Sequence, residues 1–277
     1  MRALIAAVLA VVLAGGASGA SGPAAGSAAF LASRQSDTGG FAEVGRAPDG
    51  ALTAWVALGL VAADGSATAR AHALEFLQAH EGDLVTETDA ALRVMALVAL
   101  GAAVDEELIA RLRRHRPDVL VNATIWTVLA LRSVGEQPPP ALVQAILVEQ
   151  SKGGGWSWSR GGRPDSNDTA AAIQSLRAVG VGGAVIRRAI AALRLFRNRD
   201  GGYALTISRE SDAQSTAWAI QALLSANERP GSAAFRYLSH LRRPDGSYRY
   251  SARYGSTPVW VTAQVIPALA GRPFPLR

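Results

Sequence analysis

The chain has 277 residues, 49% of them hydrophobic, no cysteine, and a formal charge of +6 carried by arginines and the single Lys152 against 22 acidic residues. The lack of cysteine excludes disulfides, thiolate metal sites and thioester chemistry. The arginines are spread over many segments, the densest group being Arg111, Arg113, Arg114 and Arg116, which reads as a solvated helix face and not as a nucleic-acid footprint.

The N-terminus opens with Met1 and Arg2, runs through an apolar stretch from Ala3 to Ala14 and leaves through Gly15, Gly16, Ala17, Ser18, Gly19 and Ala20. A charged start, a short apolar core and a small-residue exit make a signal peptide over residues 1–20, with cleavage after Gly19 or Ala20. The run is too short to span a bilayer, which needs about 20 apolar residues. The expectation is export to the periplasm, the cell envelope or the medium, with residues 21–277 as the mature domain and no transmembrane segment in it.

Internal repeats dominate the rest of the chain. One register aligns Thr53, Thr88, Thr124, Thr169, Thr216 and Val259, each near the start of an Ala-rich apolar segment, with Trp55, Ala90, Trp126, Ala171, Trp218 and Val261 two positions later. These are six copies of one helix, ended by turn residues such as Asp64-Gly65, Gly101, Gly135, Gly180 and Gly271. Between them lie more charged amphipathic segments at 26–35, 67–80, 104–114, 138–151, 184–197 and 231–243. Helices that are apolar nearly all round must be buried, and those with a polar stripe can face water. Twelve helices alternating between these characters over short connections predict an all-α fold, an (α/α)6 barrel with six helices inside and six outside; an open solenoid is the alternative.

Four of the amphipathic segments end in a recurring turn. The four are Gln35 to Gly39-Gly40-Phe41, Gln150 to Gly154-Gly155-Trp156, Arg197 to Gly201-Gly202-Tyr203, and Arg242 to Gly246-Ser247-Tyr248. The glycines permit a positive-φ turn and the aromatic ring packs over the following helix. These turns, joined to helices such as Thr216-Ala-Trp-Ala-Ile-Gln-Ala-Leu223, resemble the repeats of squalene and terpene cyclases and of protein prenyltransferase β-subunits, over residues 26–271. The resemblance implies the α/α toroid. It does not select a chemistry, because thioester-containing complement proteins and vitamin-B12 carriers share that toroid.

Squalene-type cyclases protonate an alkene with an Asp-x-Asp-Asp segment at the start of an inner helix. Here the matching stretch is Asp165-Ser166-Asn167-Asp168, so an amide, which has no transferable proton, stands at the donor position. Ser166, Asn167 or Asp168 is expected to cap the helix, and Asp168, a weak catalytic candidate, to face the cap and not the cavity. The zinc of prenyltransferases needs a cysteine, and His72, His80, His115 and His240 fall on outer helices or their ends, where surface positions are expected; no metal and no cofactor is expected. Acidic residues gather at inner-helix starts, at Glu87 and Asp89, Asp165 and Asp168, and Glu210 and Asp212. Such acids suit helix N-termini in any case, yet at a barrel mouth they also suit cutting of glycans by paired carboxylates. Asn122 and Asn167 match the N-glycosylation pattern, and as helix-start residues are expected to be caps.

The functional expectation is a non-catalytic toroid that binds an apolar, isoprenoid-like small molecule or a partner, at a site drawn from Glu87, Asp89, Asp165, Asn167, Asp168, Asp212, Trp55, Trp126 and Trp218. A glycan hydrolase or lyase, a degenerate terpene cyclase, and a module that docks on an envelope polymer are the alternatives. Nucleic acid is not among the expected partners.

Overall fold

The computed structural model describes residues 22–276, so the expected signal segment lies outside the described residues. Twelve α-helices follow one another: α1 (Pro23–Ala32), α2 (Gly50–Ala62), α3 (Ala67–Ala79), α4 (Glu87–Ala99), α5 (Glu106–Arg113), α6 (Val121–Ser133), α7 (Pro140–Val148), α8 (Ser166–Ala178), α9 (Gly183–Arg194), α10 (Ala213–Ser225), α11 (Ser232–Leu241) and α12 (Pro258–Leu269). The even-numbered helices pack in a closed cycle from α2 through α4, α6, α8 and α10 to α12 and back to α2, while the odd-numbered ones lie outside. The chain is thus an (α/α)6 barrel and not an open solenoid. Burial follows the sequence pattern: α6 buries every residue from Val121 to Leu131, whereas α11 buries only the stripe Ala234, Tyr237, Leu238 and Leu241.

Most outer helices stop short of the segments read from sequence, because Gln35, Gln150 and Arg197 leave the helix to build the turn. Gln35 Nε2 donates to the carbonyls of Gly39 at 2.8 Å and Ala69 at 2.9 Å, tying its turn to the first residues of α3. Gln150 Nε2 does the same with Gly154 at 2.9 Å and Val185 at 3.0 Å on α9. Gly154 has φ +96°, and a Cβ there would lie 2.5 Å from the Arg188 carbonyl, so only glycine permits the close approach.

The turn aromatics also explain the repeated threonine. The backbone N–H groups of Phe41, Trp156, Tyr203 and Tyr248 donate to the hydroxyls of Thr53, Thr169, Thr216 and Thr262 at 2.9–3.0 Å. The sixth copy is therefore registered on Thr262, three residues beyond Val259. The second copy shifts as well, because the N-cap precedes the register position by four residues at Asp49, Asp165 and Asp212, and on α4 the N-cap is Thr86, which selects Ala90 over Thr88. No turn motif precedes α4, so no hydroxyl is required there.

Several contacts join the first repeat to the last, among them Arg272 Nη1 donating to the Val61 carbonyl at 2.9 Å. Glu43 accepts the N–H groups of Val259 at 3.3 Å and Trp260 at 2.8 Å, supplying from a distant loop the cap that α12 lacks locally. Ser27 Oγ donates to the Gly246 carbonyl at 2.8 Å.

Candidate functional site

Because the inner helices run parallel, their N-termini converge on one mouth, where a pocket of about 500 Å³ opens. Each inner helix contributes a pair of residues four apart, which places the pair on one face. The upper ring is Ala51, Thr88, Asn122, Asn167, Gln214 and Trp260, and the lower ring is Trp55, Leu92, Trp126, Ala171, Trp218 and Gln264. Tryptophan alternates with a smaller side chain around the lower ring, and that alternation lets three large rings meet at the axis. Trp55, Trp126 and Trp218 lie edge to face with centroids 5.4–5.9 Å apart, the favoured aromatic geometry.

Phe274 closes the barrel from the opposite end. Its ring lies 6.0–6.3 Å from all three tryptophans, and its N–H donates to Gln174 Oε1 at 2.8 Å. Gln264 Oε1 accepts from Trp218 Nε1 at 2.7 Å and Gln214 Nε2 at 2.9 Å. Gln264 Nε2 is a buried donor with no partner, on a residue that lines the pocket.

The acidic wall comes from α8. Asp165 is the N-cap and accepts the Asp168 N–H at 2.8 Å, so the cap is none of the three residues expected. Asp168 meets the cap residue Asp165, to which its side chain is hydrogen-bonded, but also faces the cavity. It lines the pocket, is 5% exposed, and accepts from Asn122 Nδ2 at 2.6 Å. Burial, followed by the charge and hydrogen bond of Asp165, pushes the Asp168 carboxyl up to about 8, opposed by the Asn122 bond. Burial raises Asp165 too, but its helix-capping role favours the anion, so the pair holds its proton on Asp168. Asn122 is not a cap, because α6 has no side-chain cap; its amide spans from α6 to α8. Asn167 lines the pocket with Oδ1 3.3 Å from Ser166 Oγ.

Of the residues singled out from sequence, the pocket brings together Asp89, Asp165, Asn167, Asp168, Trp55, Trp126 and Trp218. Asp89 closes a capping box with Thr86 and keeps a place on the rim. Two others stand apart. Glu87 points to α5, pairing with Arg111 at 2.9 Å, and Asp212 caps α10 by accepting from the Ser215 N–H at 2.7 Å and its hydroxyl at 2.8 Å. Burial lifts Asp212 to about 6 in this structural role. Glu210 pairs with Arg253 at 3.5 Å. His115 is half-buried against Thr124 Oγ1 at 3.0 Å, its pKa lowered by that burial, so not every histidine is a surface one. Among the described residues no group of three or more His, Asp or Glu side chains is placed to hold a metal ion.

Sequence reasoning missed Asn122 as a wall residue, together with Trp158, Trp260, Gln214 and Gln264. The spacing of four back from each tryptophan, Asn122 to Trp126 and Gln214 to Trp218, was the signal available for two of them.

No family model matches the chain, and no curated protein sequence matches it. Solved structures share the fold. Type II terpene cyclase MstE from Scytonema is 18% identical with a TM-score of 0.68 over 90% of this chain and 96% of that one; a single-residue variant of it is known in complex with geranylgeranyl dihydroxybenzoate, its substrate. A glycosidase in complex with glucose is 13% identical with a TM-score of 0.65, covering 90% and 95% of the two chains. An ent-copalyl diphosphate synthase from Streptomyces platensis is 18% identical with a TM-score of 0.58, covering 79% of this chain and 50% of that one. The chain is an α/α toroid, the fold that it shares with these terpene cyclases and with the glycosidase.

Proposed function

We propose that this toroid, exported by its N-terminal segment, binds an elongated apolar, isoprenoid-like molecule in the mouth pocket and does not convert it. The observation that carries the reading is that a pocket of ligand size ends on a floor of three edge-to-face tryptophans, of which Trp126 and Trp218 are largely buried against their neighbours, so the floor is rigid and apolar. Gln264 Nε2 is an unsatisfied donor beside the pocket, which a turn of its side chain would bring to a hydroxyl or carbonyl on the ligand. The likeness to a cyclase that binds a geranylgeranyl compound supports the same ligand class.

The chemistry of Asp168 supports the absence of turnover. Protonating an alkene needs a strong acid whose conjugate base is stabilised. The Asp168 carboxylate would face Asp165, with one amide from Asn122 and no Arg, Lys or His in the pocket lining. A group arranged this way holds its proton and donates a hydrogen bond. Acid catalysis by Asp168 is the second reading, favoured by the burial and the neighbouring Asp165 that push this pocket carboxyl up to about 8. The glycan reading loses two of its three rim pairs, since Glu87 and Glu210 are ion-paired and Asp212 is buried as a cap; the pair that stays in the pocket, Asp165 and Asp168, is hydrogen-bonded together and not set across a cleft.

Quenching of tryptophan fluorescence by geranylgeraniol and by squalene tests the binding. Saturable quenching, weakened by Trp126→Leu, is expected; no quenching by either polyene would remove the reading.

A further inference from the structure

All the exposed large apolar side chains among the described residues sit at one end of the barrel. Val44, Val85, Val119, Trp158, Ile207 and Tyr254, each 54–85% exposed, lie one on each of the six loops that lead into the inner helices. The remainder either adjoin them on the same loops or end the outer helices α7 and α9 at this same end. The opposite rim, made by the loops that leave the inner helices, carries none of them. Single exposed apolar residues need no explanation, but their segregation to one face does.

Charge divides this face, since loops 33–49 and 80–86 carry two Arg against five Asp or Glu. The four neighbouring loops 114–120, 149–165, 195–212 and 242–257 carry twelve Arg or Lys against seven Asp or Glu, a surplus close to the +6 of the whole chain. Exposed Arg116, Arg163, Arg209 and Arg253 stand within a few residues of Val119, Trp158, Ile207 and Tyr254. Aromatic and aliphatic tips alternating with arginines suit the headgroup region of a bilayer, where apolar side chains enter the acyl boundary and cations meet lipid phosphates. A protein partner would call for a contiguous apolar patch; here the apolar tips are spaced around an opening.

We propose that the mouth face, chiefly these four loops, docks on an anionic phospholipid membrane, with the pocket opening toward the lipid. The surface stands on its own geometry, independent of what the pocket holds. Docking is peripheral: no helix among the described residues is long and apolar enough to cross a membrane.

The test is flotation of the chain with vesicles of phosphatidylcholine and of phosphatidylcholine with phosphatidylglycerol. Binding to the phosphatidylglycerol vesicles is expected, with little to the neutral ones and weakening as salt rises. Val119→Asp with Ile207→Asp, and separately Arg163→Glu with Arg209→Glu, should each lower the affinity about tenfold or more. Arg229→Glu on the opposite rim should leave it unchanged. The exposed positions keep all these variants folded, which circular dichroism verifies. Failure of the parent chain to float with phosphatidylglycerol vesicles, equal flotation with both vesicle types, or flotation indifferent to the four mouth substitutions would overturn the proposal. A concentration-dependent dimer that Ile207→Asp dissolves, in a chain that ignores vesicles, would do so as well and assign the face to a second copy.

Discussion

The side-chain amide of Asn122 on α6 donates to Asp168 on α8 at 2.6 Å, and it leaves the carboxyl facing a pocket with no cation in its lining. Burial and the neighbouring Asp165 hold Asp168 neutral against that bond, which favours the anion.

That arrangement has a pH signature. The folded pKa of Asp168, about 8, lies above the unfolded value of about 3.9, so between these values the folded chain binds more protons than the unfolded one. The stability contribution is fully present below pH 4 and is lost as pH rises through 8. Asp168→Asn removes this dependence while keeping an acceptor for Asn122. Thermal unfolding from pH 4 to 9 should show the parent losing a few kcal/mol relative to Asp168→Asn; parallel curves would show that Asp168 is ionised in the folded chain.

Trp156→Ala should destabilise by about 3–5 kcal/mol. Its ring is fully buried and its Nε1 donates to the Ile146 carbonyl at 2.7 Å, so truncation leaves a cavity and an orphaned acceptor. Denaturant unfolding gives the value, and an unchanged midpoint would mean that the turn does not clamp α7 to α8.

The corrected register is open to a paired test. Thr262→Val strands the buried Tyr248 N–H and should cost about 1–3 kcal/mol. Thr88→Val loses only a 3.5 Å contact to Asn122 and should cost within about 0.5 kcal/mol. Comparable costs at the two sites would restore the register read from sequence.

Export has a direct readout. N-terminal sequencing of material recovered from the medium or envelope should begin between Gly19 and Gly22, where small residues follow the apolar run. Recovered protein that starts at Met1 would contradict it.

The barrel was legible because inner and outer helices differ in burial over their whole length and the Gly-Gly-aromatic turns recur. The register of α4 and α12 was not, since a threonine at 88 and a valine at 259 continue the pattern by coincidence while the true marker is a hydrogen bond to a turn N–H. The tryptophans of the floor were visible from sequence as repeats at 55, 126 and 218, but their meeting at the axis depends on the small residues between them around the ring. Asp168 was misplaced because sequence counts it as the outer acid of the segment. The helical turn, with Asp165 as cap, rotates it inward toward Asn122, 46 residues away. Trp158 and Trp260 carry no periodic signal, one lying in a loop and the other a turn above the repeat position.

The proposed binding without conversion is tested most directly by incubating the pure chain with squalene and with linear prenyl diphosphates and analysing the extract by gas chromatography, beside Asp168→Asn. The account predicts that the polyene is recovered unchanged, retained by the parent and by Asp168→Asn, and lost from Trp126→Leu. An enzyme-dependent cyclic product that disappears in Asp168→Asn would contradict it and make Asp168 the acid of a cyclase.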